Sequence, residues 1–163
     1  MANPATKSKP SFSSILDMPA SEAQRPPTLP RGSYVVMVTA YREDKSSQAQ
    51  TPFTEFTLKV IEPLEKEDPK TKEMVPQVDE DELEEFGDVR DSIINVRFWH
   101  TEKAIYRLRE FLEHCGVDLG GKKSFTQAIP EAVNATIIAN ITHRPLQTGE
   151  GVRAEVRSTA PAE

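Results

Sequence analysis

Five stretches of the chain carry strand-like patterns of apolar and polar positions, and one carries a helical pattern. In RGSYVVMVTAYRE, Tyr34, Val36, Val38 and Ala40 alternate with Val35, Met37, Thr39 and Tyr41, so both faces are largely apolar. Such a strand suits the curled first strand of a small barrel, which meets the core along its whole length. TPFTEFTLKVIEP puts Phe56, Leu58 and Val60 on one face, and Phe53, Glu55, Thr57 and Lys59 on the other. The polar DKSSQAQ between them predicts a long hairpin. In INVRFW, Ile94, Val96 and Phe98 share a face, opposite Asn95, Arg97 and Trp99. ATIIANITH sets Ile137, Ala139 and Ile141 against Ile138 and Asn140, and VRAEVRS alternates Val152, Ala154, Val156 with Arg153, Glu155, Arg157.

The helical stretch follows the third strand directly. Ala104, Ile105, Leu108, Phe111, Leu112 and Cys115 form one apolar stripe. Thr101 is the expected N-cap, Glu102 suits the positive helix end, and Gly116 suits a left-handed stop. Shorter helical turns fit DEDELEEF and the run from Phe125 to Ile129. The predicted class is therefore mainly β with one principal helix (α+β). Five strands with a helix between the third and fourth match the five-stranded, partly open OB barrel. A ferredoxin-like sandwich needs a helix after its first strand, where this chain has only a polar loop.

Composition divides the chain. Six of the thirteen prolines fall in the first thirty residues, so residues 1–31 are expected to form a disordered arm, with one apolar cluster at Phe12, Ile15, Leu16 and Met18. Residues 32–158 are the predicted domain and 159–163 a tail. Residues 62–91 hold thirteen acids against four bases, a charge of −9, and three prolines. They read as a protruding, mostly disordered acidic loop inserted between the second and third strands. The rest of the chain is +3, although the whole is −6. The acidity belongs to the insertion.

Several chemistries have no residues to carry them. Cys115 is the single cysteine, which leaves no intrachain disulfide and no multi-Cys zinc site, and its place on the helical stripe predicts a buried thiol. His100, His114 and His143 lack ligand spacing, so no metal site is expected. GVDLGGKKS comes near a phosphate loop, but Lys123 stands where Ser or Thr is needed, and the run follows a helix instead of a strand. The hydrolase, zincin and dinucleotide motifs are absent. No catalytic residues and no cofactor are expected. The lack of a long apolar run or an apolar leader predicts a cytoplasmic protein with no membrane contact.

The aromatic and basic residues on non-core faces remain. Single-stranded nucleic acid is bound when bases stack on aromatic rings while cations follow the backbone, and an OB barrel does this on its second and third strands and adjoining loops. Phe53 and Trp99 are the candidate platforms, with Tyr41 at the end of the first strand on the face of Val35 and Met37. Lys59 and Arg97, with Arg42, Lys45 and Arg153, are the candidate phosphate contacts. The rival reading packs Trp99 and Phe53 under the helix or the arm as a second small core.

LPRGSYVVMVTAYREDKSS, TPFTEFTLKVIE, INVRFWHTEKAIYRLREFLEHCGVD and ATIIANITH together resemble phage-encoded single-stranded DNA-binding proteins of the OB type. Leu29 to Val60 and Ile93 to Asp118 carry the likeness, a little over a third of the chain. The resemblance implies non-catalytic binding of single-stranded DNA in replication or recombination. It departs in the acidic insertion, and STAPAE holds one acid where bacterial relatives have an acidic, hydrophobic recruiting tail. A replication or recombination protein is an expected partner through the acidic loop. The rival function is a virion or assembly component, a small β-barrel whose arm and acidic loop bind other proteins.

Overall fold

The computed structural model describes residues 28–146 and 151–162, together with 16, 19 and 20. Five long strands form one antiparallel sheet: β1 (Gly32–Lys45), β2 (Pro52–Pro63), β5 (Ile93–Trp99), β6 (Thr136–Pro145) and β7 (Val152–Pro161). Their spatial order is β5-β2-β1-β6-β7. The sheet is open, because no ladder joins its edges β5 and β7. The sheet nevertheless curls, and residues of the two edges come within 8 Å between Cα atoms. Helix α2 (Ile105–His114) packs against both edges and bridges the seam at one end.

The predicted core faces hold except on β1, which does not meet the core along its whole length: Ala40, expected on the core face, and the residues after it to Lys45 are exposed. Tyr34, Val36 and Val38 of β1, Phe56, Leu58 and Val60 of β2, Ile94 and Phe98 of β5, and Ile137, Ala139 and Ile141 of β6 are all buried, with Val96 packed against them. Leu108, Phe111 and Leu112 supply the face of α2. The Phe111 ring stands 4.6 Å from Phe56 and 4.9 Å from Phe98, an aromatic triangle that fixes the helix on the sheet. Thr101 caps the turn just before α2, its hydroxyl accepting from the Ala104 N–H. Gly116 (φ 81°) ends the helix: Val117 N–H donates to the Leu112 carbonyl and Gly116 N–H to that of Glu113. That bond pair is the Schellman motif, and Leu112 and Val117 are both buried beneath it.

Three expectations need correction. The first is the acidic insertion, which is folded. It contains a short hairpin, β3 (Glu65–Glu67) and β4 (Met74–Pro76), and helix α1 (Glu80–Phe86). Backbone bonds tie it to the start of β1, from Ser33 to Gln77, Leu64 to Ser33 and Asp79 to Arg31. Val78 and Val89 are buried, while Leu83 and Phe86 pack against the core. Asp79 caps α1, and Glu80, Asp81 and Glu82 occupy the first turn, where the helix dipole favours negative charge. Most of the acids are on the outside of a segment in which Val78, Leu83, Phe86 and Val89 point inward, while Met74 is exposed. Gly32 (φ 146°) records how closely the insertion lies: a Cβ there would stand 2.5 Å from the Gln77 carbonyl oxygen and the Val78 Cα.

The second correction concerns the helices. There are three α-helices among the described residues, because α3 (Phe125–Ala128) accompanies α1 and α2, and a 3-10 turn (Ile129–Ala132) follows α3. The third concerns the boundaries. The body begins before residue 32: Leu29 and Pro30 are buried, and the Tyr34 hydroxyl donates to the Pro30 carbonyl at 2.7 Å. It also extends past residue 158, since β7 runs to Pro161. Of the cluster in the arm, Phe12, Ile15 and Met18 lie outside the described residues, and Leu16 is exposed.

Candidate nucleic-acid interface

Strand register decides which of the candidate side chains meet. On the outer face of β2 and β5, Phe53 lies opposite Trp99, Glu55 opposite Arg97, and Lys59 opposite Ile93. Arg42 of β1 is paired with Glu55 and joins the same face. Trp99 meets Phe53 edge-on at 5.4 Å. The Arg97 guanidinium covers the Phe53 ring at 3.9 Å and lies 5.5 Å from the Trp99 ring. Phe53 is therefore only 2% exposed and is not a stacking platform. It is the apolar floor under an arginine. Trp99 remains half-buried, with Phe53 and Arg97 as its neighbours; the arm of the rival packing reading lies almost wholly outside the described residues.

The cations of this face are already engaged. Glu55, 14% exposed, bonds Arg42 and Arg97 at 3.0 Å each. Arg42 also reaches Asp44 at 3.0 Å. The bond to Glu55 raises the Arg42 pKa above its ordinary value, and the Lys45 N–H on the Asp44 carboxylate, with Arg42 beside it, lowers that of Asp44. Lys59 is held by Asp91 at 3.2 Å. Six residues of strand separate it from Phe53, roughly 20 Å, so it stands apart from the aromatic cluster.

Tyr41 and Lys45 are not with the others. The pairing of β1 with β2 shifts by one residue between Val38 and Ala40, and that bulge reverses the alternation. Tyr41 is consequently opposite Phe56, 6.3 Å ring to ring, on the core side of the sheet, and Lys45 is opposite Pro52 at the hairpin tip.

The seam between the sheet edges forms a cleft of about 740 Å³. One wall is β5 with Arg97 and Trp99, and the facing wall is β7 from Arg153 to Thr159. Arg153 thus lines the same cleft as Arg97 and Trp99. Four residues not singled out by sequence join them: Tyr106 and Arg107 at the start of α2, Arg144 of β6 and Arg157 of β7. Tyr106 is 51% exposed, with the Arg107 guanidinium 5.9 Å from its ring. Arg144 pairs with Glu155 at 3.3 Å. Among the described residues no carboxylate lies within ion-pair distance of Arg107, Arg153 or Arg157. The alternation of Arg153 and Arg157 in the sequence was a visible signal, but which strand β7 faces across the seam was not.

The remaining chemical candidates have structural partners. His100 bonds Thr54, His114 bonds Thr159 and thereby ties α2 to β7, and His143 donates to the Leu29 carbonyl. Among the described residues no cluster of three metal-ligating side chains occurs. In the lysine-rich turn, Lys123 pairs with Glu131 and Ser124 caps α3 in a reciprocal box with Gln127, which occupies the groups a phosphate loop would present. Burial pushes the Cys115 thiol up to about 12, so the thiolate is suppressed at neutral pH. No helix among the described residues is long and apolar enough to cross a membrane. No protein-family model matches the chain, and no curated protein matches it.

Proposed function

We propose that this protein binds single-stranded DNA without catalysis, in phage-type replication or recombination within the host cytoplasm. The observation that carries the reading is the cleft: a half-buried tryptophan beside Arg97 on one wall faces Arg153 on the other. An aromatic face offers stacking to any base, and unsequenced phosphate contacts follow from the guanidiniums. The fold supports it. Counting only the five long strands, the order 3-2-1-4-5, with a helix between the third and fourth, supports reading the open sheet as an OB-type barrel opened between its third and fifth strands. Trp99 then belongs to the strand pair on which OB barrels bind oligonucleotides.

The test is a titration with an oligothymidine, read by the emission of Trp99, the single tryptophan. Quenching that weakens as salt rises supports the reading. A second reading, an assembly or virion component, is favoured by the folded insertion, which presents its acids from a fixed hairpin and helix. The same surface suits a replication or recombination partner. Absence of binding to oligothymidine at low salt would select the assembly reading.

A further inference from the structure

We infer that the bound strand runs through the seam between the two sheet edges and is gripped there by the start of helix α2 and by β7, instead of lying on the outer sheet face alone. The inference rests on the single-stranded DNA reading and names the path that reading leaves open. Charge decides it. On the outer face every cation is opposed by a carboxylate at 3.0–3.2 Å: Arg42 and Arg97 by Glu55, and Lys59 by Asp91. A phosphate arriving there must compete with a carboxylate already held in place. In the seam Arg107 and Arg157 have no such partner among the described residues, and both are exposed.

Two local features aim them. Arg157 is the extra residue of a bulge: the β6–β7 register passes from Asn140–Ser158 to Ile141–Val156 and leaves Arg157 unpaired. A bulge re-aims the side chain it carries. Arg107 lies one residue after Tyr106, its Nε 3.4 Å from the Tyr106 hydroxyl, so a ring and a cation occur together on the helix wall as Trp99 and Arg97 do on the strand wall. A strand between the walls can stack on an aromatic along either edge and be neutralised by Arg107 and Arg157, which no carboxylate among the described residues opposes within ion-pair distance. The recognised chemistry is a flexible polyanion bearing planar bases, too narrow a fit for a duplex in a cleft closed at one end by α2.

The experiment compares salt-series titrations of oligothymidine on the full chain, on the double variant Arg107→Ala/Arg157→Ala, and on Glu110→Gln, whose wild-type carboxylate lines the same wall. Each lost phosphate contact should flatten the slope of log affinity against log salt by about 0.7, so the double variant should flatten it by about 1.4. The fall in affinity from about 50 mM to about 200 mM salt then shrinks roughly sevenfold. Glu110→Gln removes a negative charge from the seam and should tighten binding and steepen the slope. Arg90→Ala, whose guanidinium is paired with Asp88 outside the cleft, should leave the slope unchanged. If the wild type binds while neither Arg107→Ala/Arg157→Ala nor Glu110→Gln moves the slope, the seam path is wrong and the function stands. A wild type that does not bind overturns both.

Discussion

Phe53 and Trp99 occupy directly opposed positions on neighbouring strands, yet they should respond to mutation in opposite ways. Phe53 is buried beneath Arg97, so Phe53→Ala should cost about 3–5 kcal/mol of stability, read as a lower urea midpoint. Trp99 is half-buried at the mouth of the cleft. Trp99→Ala should stay folded and lose ~1–3 kcal/mol of binding, measured by anisotropy of a labelled oligonucleotide. Equal losses of stability at both positions would show that Trp99 is packing and not platform. Cys115 supplies a third expectation. With its thiol raised from 9.0 to about 12, it should resist alkylation at pH 8 until the chain is unfolded. A raised thiol pKa favours the folded state below pH 9 and withdraws that contribution as pH rises toward 12.

Among the elements, α2 joins the predicted stripe to the seam. Its inner residues hold the two sheet edges at their spacing, and its outer residues line the cleft. Leu108→Ala and Phe111→Ala should each cost ~2–5 kcal/mol, whereas Arg109→Ala, exposed and paired only with Glu113, should stay within ~0.5 kcal/mol. Equal costs in urea melts would put the helix in the wrong rotational phase. The stripe was legible because a period of 3.6 is local. The bulge after Val38 was not, since a one-residue slip leaves no mark in an apolar run, and it moved Tyr41 and Lys45 off the candidate face.

For the whole molecule, the insertion decides how charge can be tested. Replacing residues 64–88 with a Gly-Ser linker would remove Val78 from the core and leave the backbone of Ser33 without its partners. The expected result is lost stability, which hides any electrostatic gain. Neutralising the exposed Glu65, Glu67, Glu84 and Glu85 as glutamines spares the core and the first-turn acids of α1. If the insertion repels DNA, that variant should bind oligothymidine more tightly at low salt, and the gain should shrink at ~0.15 M salt, where screening acts over roughly 8 Å. An unchanged affinity at low salt would mean that this surface faces away from the bound strand.

Most strand faces, the main helix and its left-handed stop were written in the sequence, because alternation, helical period and the glycine requirement are properties of neighbours in the chain. Which edges of the sheet would face each other across an open seam was not, and neither was the folding of the acidic segment. There a high density of charge concealed four inward-facing residues, Val78, Leu83, Phe86 and Val89, whose burial depends on contacts far away in sequence. The site shows the same division. Residue types on β2 and β5 pointed to aromatic and cationic chemistry. Only the curl of the sheet brought β7 and the outer face of α2 across from Trp99, and only the ion pairs of Glu55 and Asp91 showed which cations were already neutralised. Pairing and curvature are long-range choices, made by the burial of the whole core, and no local pattern of residues encodes them.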